Sequence, residues 1–535
     1  MEKMANIIPR KASRKIRVVI VRLVKNPVTA IIFLILTIAA FMRLYRISEY
    51  MTFLGDEGRD AIVARQILMG DFTLLGPRAS AGDFFLGPIY YYMMAPFLWF
   101  FNYDPVGPAI MVALIGVATV FLVYYVSSKF FGKIAGITAA ALYAVSPVVI
   151  AYSRSSWNPN PVPFFTLLML YVLYLSIQRG SLKLFIVVGV LLGILLQLHY
   201  IAVFLGVIVF LFVLIGGFII PRENKIKNYL LQYAAIFFGF LIGWFPFLLF
   251  EARHGFPNIK TIFSFIFVGN FQEKQIESVS HLEIVSDVFF RLYARLLVGF
   301  PPPEQLDRVP YLELSLLQAV TVILIIGSIF ALIFSRKKLI ISFFLIWLFG
   351  GVFLFGFYKK EIYDYYFGFL FPVPFILIGN LIGRLSALKG RLKDVGIFLG
   401  VLFFGLLFYL LIVKHPFQFT PNRQKLQAET IANFVLEKTN GKPFNFALIT
   451  LGNSDHVFRY YFEIKNRAPV VIENAQVDPE RGTVTDQLLV ICEHDCKPIG
   501  NSLWEVAGFG DAEIEDQWKI SFFTVYRLIP YGEGG

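Results

Sequence analysis

Long apolar runs alternate with short basic clusters over most of the chain. The runs recur between Val28 and Val413, and many approach the roughly 20 residues that cross a bilayer as a helix. Lys and Arg are enriched in cytoplasmic loops, and placing every basic cluster on that side gives one consistent path. The pattern therefore predicts about eleven transmembrane helices, near residues 28–44, 107–127, 134–151, 164–178, 184–199, 201–220, 229–250, 314–334, 339–357, 365–383 and 395–413.

The basic residues of segment 1–26 predict a cytoplasmic N-terminus. A basic start before an apolar run also resembles a signal peptide, but the later spans favour an uncleaved anchor. With an odd number of spans, the residues after Val413 are extracytoplasmic. The apolar stretch 84–101 is left out of the count, since a span there would place Lys129 and Lys133 outside. It is predicted to be an aromatic helix that lies in the outer interface or re-enters the membrane.

Three regions are predicted to lie outside: loop 46–107, loop 251–313 and the polar segment 415–535. The last contains an amphipathic helix at 424–439 and strands at 443–451, 469–474, 486–493 and 518–529. The predicted fold is an all-α polytopic membrane domain, residues 27–414, with a small C-terminal extracytoplasmic α/β domain. Because the C-terminal domain is predicted to lie on the outer side of the membrane, it is a candidate for selecting the acceptor.

Composition supports the membrane assignment. The 535 residues are 57% hydrophobic and 16% charged, whereas soluble domains carry about 25% charged residues. The net charge of +12 is compatible with nucleic-acid binding. The basic residues, however, lie in short clusters between apolar runs, as they do beside anionic lipids. We therefore expect membrane lipids, and no nucleic acid, as partners.

The two cysteines, Cys492 and Cys496, lie in CEHDC within the predicted outer domain. A short disulfide is compatible with an oxidising compartment. A metal site with His494 is the other interpretation, but two thiols and one imidazole are an incomplete ligand set for zinc. A disulfide or free thiols are favoured over metal.

Adjacent acids follow the first span in FLGDEGRDA, residues 53–61. Asp56 and Glu57 are costly beside lipid unless cations or water meet them. Such a carboxylate can accept a proton from an attacking hydroxyl, or hold a divalent metal beside a phosphate. A helix start with Asp56 as N-cap and Asp60 in the first turn explains the same residues without chemistry.

Four stretches in order resemble the GT-C membrane glycosyltransferases of the protein O-mannosyltransferase and aminoarabinose-transferase type, over residues 20–415. FLGDEGRDA, after the first span, resembles the acidic motif that this family has in its first outer loop. The others are an aromatic segment after a Pro-containing turn, a stretch ending in a Ser-Arg loop, and a late basic and tyrosine-rich motif. In this chain they read LGPIYYYMMAPFLWFF, VSSKFFGKIAGITAAALYAVSPVVIAYSRSSWNP and FYKKEIYDYYFGFLFPVPF.

The chain departs from that family at two places. Leu86-Gly87-Pro88 stands where His-Pro-Pro is common, and the Ser-Arg loop offers Asn158 and Asn160 where a second acid is common. A metal-free reaction is therefore favoured, with a divalent metal as the alternative. Alternatively, Glu57 takes the role of the missing second acid. The absence of that acid is also compatible with a protein that resembles the family but has no catalytic activity.

The resemblance implies transfer of a hexose or pentose from a polyprenyl-phosphate sugar to a lipid, glycan or protein acceptor on the outer face of the plasma membrane. Asp56 and Glu57 are the catalytic candidates, with Asp56 as the base of a single displacement. Cations should face the leaving phosphate. The candidate phosphate- and sugar-binding residues are Arg59, Arg154, His199, Tyr200, Arg253, Lys359, Lys360 and Tyr365.

Each of these candidates also has a structural explanation. Long cationic side chains snorkel to lipid headgroups, tyrosines favour the interface, and a lone histidine at a helix end often forms a structural hydrogen bond. Two other function classes compete: a transporter or lipid flippase, and a non-catalytic scaffold. Transporters often place ionisable residues near the midplane of repeated halves, whereas most charges here lie at span ends.

Overall fold

The computed structural model describes residues 26–79, 82–264, 280–335, 337–358 and 360–532. Within them, eight helices are long and apolar enough to cross a membrane, and a ninth span results if two segments bent by 53° are counted as one. The eight are Pro27–Leu44, Val106–Phe131, Val162–Arg179, Tyr200–Ile219, Lys225–Gly243, Tyr311–Ile333, Lys338–Phe355 and Gly390–Gln418.

The remaining predicted spans are apolar helices of less regular form. The bent pair joins the 3-10 segment Asp364–Leu370 to helix Pro372–Leu385. Two shorter apolar helices are Lys133–Val145 and Leu182–Leu198. Among the described residues, nine of the eleven predicted spans are thus long and apolar enough, with the bent pair counted as one, and the predictions 134–151 and 184–199 fall on shorter apolar helices. The polytopic helical membrane fold is confirmed. The basic segment 1–25 lies outside the described residues.

Two helices of the bundle, Leu182–Leu198 and Lys225–Gly243, approach each other closely through paired glycines. A Cβ on Gly193 would lie 2.7 Å from the carbonyl carbon of Gly243. Gly189 and Gly239 occupy the equivalent place one turn earlier, where a Cβ would also meet the facing backbone. Small residues spaced four apart let backbones pack tightly inside a membrane, and this pair follows that rule.

Both long loops contain several helices among their described residues. The first contains Ile47–Tyr50, Gly55–Leu68 and Ile89–Phe100, and the second contains Phe245–His254, Pro257–Phe263, His281–Tyr293, the π-helical Ala294–Val298 and the 3-10 Pro303–Arg308. Helix Ile89–Phe100 has 12 residues, or about 18 Å at 1.5 Å per residue. It is too short to cross the bilayer, and it packs against helix Gly55–Leu68 and helix Val106–Phe131.

The C-terminal domain is a four-stranded sheet with helices. The strands are β1 Asn445–Ile449, β2 Leu488–Cys492, β3 Ala512–Ile520 and β4 Phe523–Pro530, in the order β1-β2-β4-β3. β1 and β2 are parallel, and the other neighbours are antiparallel. The helices are Gln424–Lys438, His456–Ile464 and Trp504–Ala507. Cys492, at the end of β2, is disulfide-bonded to Cys496.

Two of the predicted strands were wrong. Segment 469–474 is not a strand, because side chains satisfy much of its backbone: Asn445 donates to Val470 O, and Thr483 Oγ1 accepts from Glu473 N. The run 518–529 is a hairpin, because Ser521 turns the chain with a positive φ of 55°. The predicted helix at 424–439 is confirmed.

The sheet domain sits on the first long loop. Helix His456–Ile464 packs across helix Gly55–Leu68. Lys425 forms an ion pair with Asp104 at 2.7 Å, and the Tyr460 hydroxyl donates to Tyr103 O at 2.5 Å. The same end of the bundle, here called the loop face, therefore carries both long loops and the C-terminal domain.

Candidate active site

The acidic motif opens helix Gly55–Leu68 on the loop face. Leu54 is the N-cap residue, so Asp56 is the second residue of the helix, and the interpretation of Asp56 as N-cap was wrong. Glu57 points back, and its carboxylate accepts a hydrogen bond from Leu54 N at 3.0 Å. Asp56 keeps 56% of its side chain exposed. The two adjacent acids therefore have different surroundings.

A cavity of about 570 Å³ lies in front of this helix turn. Asp56 and Glu57 form part of one wall, and Tyr152 and Trp157 form part of another. A third wall comes from the C-terminal domain, at residues 452–454. An exposed carboxylate thus faces a space large enough for a sugar, between membrane helices and the C-terminal sheet domain.

Arg59 connects Asp56 with a second, buried carboxylate. Its guanidinium is 2.9 Å from Asp56 Oδ1 and 2.7 Å from Asp60 Oδ1. Burial raises the pKa of Asp60 to about 6, although the charge of Arg59 acts in the opposite direction. Sequence reasoning placed Asp60 only in a helix turn; its spacing of four residues from Asp56 was the available signal. Arg59 thus restrains the carboxylate that faces the cavity.

Burial raises the pKa of Glu57 to about 7, while the hydrogen bond from Leu54 N acts to lower it. Burial disfavours the charged carboxylate, so Glu57 is substantially protonated near neutral pH. Of the two adjacent acids, Asp56 is the more exposed and is held by a cation. It is therefore the better placed to act as a base.

Three of the predicted sugar- or phosphate-binding residues form one aromatic cluster. Tyr365 lies 4.3 Å from Trp157 and 5.7 Å from His199, measured between ring centroids. His199 stacks on Tyr200 at 4.6 Å, and the Tyr200 hydroxyl lies 2.9 Å from that of Tyr358. The His199 side chain is buried among these rings. The cluster reaches the cavity through Trp157.

A pair of arginines next to this cluster was not predicted from the sequence. Arg291 and Arg295 both bind Asp364, at 2.5 Å and 2.8 Å. Tyr152, which lines the cavity, lies near both: burial and Asp364 raise the pKa of its hydroxyl to about 12, while Arg295 and Arg291 act to lower it. The signal in the sequence was their spacing of four residues in RLYAR, which places them on one helix face. Two cations thus lie behind an aromatic wall of the cavity.

The other candidates occupy structural positions or lie apart. Arg154 is buried and donates to Met42 O and Tyr45 O, both at 2.8 Å, which caps the end of the first span. Arg253 is exposed at the end of helix Phe245–His254. Lys360 is partly buried. Lys359 lies outside the described residues.

The two asparagines of the Ser-Arg loop differ in role. Asn158 donates to Leu198 O at 2.6 Å, whereas Asn160 lines the cavity. The Asn160 Oδ1 atom is buried and has no hydrogen-bond partner among the described residues. Among all residues that the structure describes, no three His, Cys, Asp or Glu side chains are grouped so that they could hold a metal ion. A neutral amide thus lies at the cavity where the family that the sequence resembles commonly has a second acid.

Comparison with known proteins agrees with this architecture. The family model described as dolichyl-phosphate-mannose-protein mannosyltransferase matches residues 86–249. No curated protein matches the chain.

Two solved proteins share the fold over most of the chain. ArnT from Cupriavidus metallidurans in the apo state gives a TM-score of 0.58 at 13% identity, covering 94% of this chain and 98% of ArnT. The same protein bound to undecaprenyl phosphate gives 0.56 at 11% identity, covering 95% and 98%. The oligosaccharyltransferase AglB from Archaeoglobus fulgidus, in complex with an inhibitory peptide and a dolichol-phosphate, gives 0.52 at 13%, covering 87% and 69%. The chain therefore shares the fold of ArnT and AglB, in agreement with the GT-C fold that its sequence motifs predict.

Proposed function

We propose that the protein transfers a sugar from a polyprenyl-phosphate donor to an acceptor in the cavity at Asp56. The observation that carries this proposal is an exposed, arginine-held carboxylate facing a large cavity, with two further arginines behind the cavity wall. The fold supports it, since ArnT and AglB have been solved with undecaprenyl phosphate and dolichol-phosphate. The sugar, whether hexose or pentose, and the acceptor are set by the shape of the cavity.

The proposed reaction is a single displacement. The acceptor oxygen or nitrogen forms a bond to the anomeric carbon, the bond from that carbon to the phosphate oxygen breaks, and the phosphate leaves with the electron pair. Asp56 accepts the proton of the acceptor. Arg59 orients Asp56 through the ion pair between its guanidinium and Asp56 Oδ1 at 2.9 Å. Glu57, although a catalytic candidate by sequence, has the geometry of a group that holds the helix start.

Arg291 and Arg295 are the proposed cations for the leaving phosphate. A phosphate leaving group gains negative charge as the bond breaks, and guanidinium groups stabilise it through charged hydrogen bonds. Asp364 binds both arginines and so fixes their positions, with Asp287 as a further partner of Arg291 at 3.1 Å. Arg154 and Arg253, proposed from sequence for this role, are less well placed than this pair.

The aromatic cluster is the proposed sugar-binding wall. The imidazole of His199 and the hydroxyls of Tyr200 and Tyr365 can form hydrogen bonds with sugar hydroxyls. Next to Tyr200, an apolar cavity of about 100 Å³ is lined in part by Leu86, Trp244 and Phe247. An isoprenoid chain needs such a dry surface, and we assign the first units of the donor lipid to it.

The proposal fixes the orientation in the membrane. The loop face is extracytoplasmic and the basic N-terminus is cytoplasmic, as the distribution of basic clusters predicts. The reaction as written uses no metal ion. A flippase is the less favoured alternative, because the titratable groups of the cavity lie at one end of the bundle and not at its midplane.

The test supplies the purified protein in lipid nanodiscs with a panel of polyprenyl-phosphate sugars. Release of free polyprenyl phosphate is measured with and without chelator. We expect release from at least one donor, unchanged by chelator. A flippase would move the lipid between leaflets of a vesicle without breaking its sugar–phosphate bond. No release from any donor, by protein shown to be folded, would contradict the proposal.

A further inference from the structure

One wall of the cavity is built by the C-terminal domain, far along the chain from the acidic motif. Residues 452–454 precede helix His456–Ile464 and face Asp56 across the cavity. The side-chain oxygen of Asn453 accepts a hydrogen bond from Gly55 N at 3.0 Å and another from Ser454 N at 2.9 Å. A turn of the outer domain is thereby bonded to the first residue of the helix that carries Asp56.

The start of this helix needs an acceptor from elsewhere. The first N–H groups of a helix have no partner within it, and a polar N-cap side chain usually supplies one. The N-cap residue here is Leu54, whose side chain cannot accept a hydrogen bond. Glu57 is already used by Leu54 N. Asn453 therefore does for Gly55 what an N-cap side chain does in other helices.

The two glycines of the GDEG motif permit this contact. A Cβ on Gly58 would lie 2.5 Å from Val457 N and 2.6 Å from its Cα, so the backbone of the outer domain would have to move. A Cβ on Gly55 would lie 2.9 Å from both Asn453 Oδ1 and Ser454 N. Residues three apart share a helix face, so both glycines present one bare surface to the docked turn while Asp56 faces the cavity.

We propose that Asn453 is a positioning residue for Asp56, and that the C-terminal domain completes the catalytic cavity by holding the helix start in place. This inference rests on the proposed function. It adds to acceptor selection a second role for the outer domain, which acts through the geometry of the base. Misplacement of a catalytic group by about 1 Å can lower the rate on the order of a hundredfold.

The experiment compares Asn453→Leu with Asn453→Asp in the full chain. Leucine removes the acceptor, while aspartate retains it and suits a helix N-terminus. The matched control is Asn474→Leu, because Asn474 Oδ1 also accepts two backbone N–H groups, from Gln476 and Val477, in an exposed turn of the same domain. Hydrogen exchange of the peptide 53–62 and the kinetics of polyprenyl phosphate release are both measured.

We expect Asn453→Leu to exchange about fivefold faster in that peptide, the size of effect that loss of an N-cap acceptor gives. Its kcat should fall at least tenfold with a smaller change in KM, because the base and not the donor site is displaced. Asn474→Leu should match the native protein in both measurements.

Asn453→Asp should retain native exchange. Aspartate restores the acceptor that leucine removes, so kcat of Asn453→Asp should lie well above that of Asn453→Leu.

Native exchange in Asn453→Leu, or faster exchange with native kcat, would overturn the inference. A kcat in Asn453→Asp as low as that in Asn453→Leu would also count against it. If the native protein releases no polyprenyl phosphate, the proposed function fails, while the exchange comparison still decides whether Asn453 holds the helix.

Discussion

The two adjacent acids of the GDEG motif differ because of what surrounds each side chain. Glu57 is buried and caps the helix, with a pKa raised to about 7, whereas Asp56 is more than half exposed and bound by Arg59. A helix places neighbouring residues about 100° apart, so one acid turns inward while the next faces the cavity. Division of roles between adjacent carboxyl groups follows from that geometry.

The raised pKa of Glu57 predicts a pH-dependent stability. Its carboxyl binds a proton more tightly in the folded chain than in the unfolded chain, where the pKa is near 4.5. Stability is therefore lost as pH rises from about 4.5 to about 7, by at most roughly 3 kcal/mol. Glu57→Gln keeps an acceptor for Leu54 N and should reduce that slope. Thermal unfolding from pH 4.5 to pH 8 measures it, and equal slopes in both proteins would contradict the assignment.

The arginine pair predicts a donor defect. Arg295→Gln removes a cation proposed for the leaving phosphate, and we expect kcat/KM for the donor to fall about tenfold or more, the value of a lost charged hydrogen bond. The matched control is Arg308→Gln, an exposed arginine of the same loop. Kinetics of polyprenyl phosphate release would check it, and equal losses in the two variants would exclude a specific role for Arg295.

At residue scale, the sequence predicted the acidic motif and the aromatic residues but not the arginine pair. The aromatic residues and acids lie in local motifs, so short stretches of sequence were enough. Arg291 and Arg295 depend on Asp364, about 70 residues later, which only the fold brings near. Arg154 was predicted to bind the phosphate, yet its N–H groups donate to the backbone carbonyls at the end of the first span. The C-terminal end of a helix also attracts a cation.

At the scale of elements, apolar length predicted nine of the eleven spans among the described residues, with the bent pair counted as one, because crossing a bilayer imposes a minimum run of apolar residues. The outer domain lacked such a constraint. Segment 469–474 has strand composition but is held by side chains, and the hairpin at 521–522 lacks a glycine or asparagine to mark it. Strand assignment there depended on tertiary partners.

The glycine pairing predicts which helix contact limits stability of the bundle. Gly193→Ala places a methyl group 2.7 Å from the backbone of Gly243, and overpacking of this kind costs about 1–3 kcal/mol. Gly206→Ala is the matched control, since a Cβ there meets no atom within 4 Å in the described structure. Thermal unfolding in lipid should show a lower midpoint only for Gly193→Ala. A similar midpoint for both would show that the helices adjust freely.

At the scale of the molecule, the outer domain, both long loops and the cavity share one end of the bundle. The positive-inside rule predicts that this end lies outside the cell. Leu451→Cys, on an exposed residue of the outer domain, should react with an impermeant maleimide in intact cells. Lys389→Cys, exposed in the turn before the last span, should react only after permeabilisation. The opposite pattern would reverse the topology.

The account as a whole depends on Asp56 acting as the base of a sugar transfer. The most direct measurement is the rate of polyprenyl phosphate release at saturating donor by the native protein, Asp56→Asn and Asp83→Asn, with donor binding measured for each. Asp83 is an exposed acid of the same loop, with 84% of its side chain accessible. The account predicts that Asp56→Asn binds donor normally but releases polyprenyl phosphate more slowly, by a factor on the order of a hundred or more. Asp83→Asn should release it at the native rate. Native release by Asp56→Asn would contradict it.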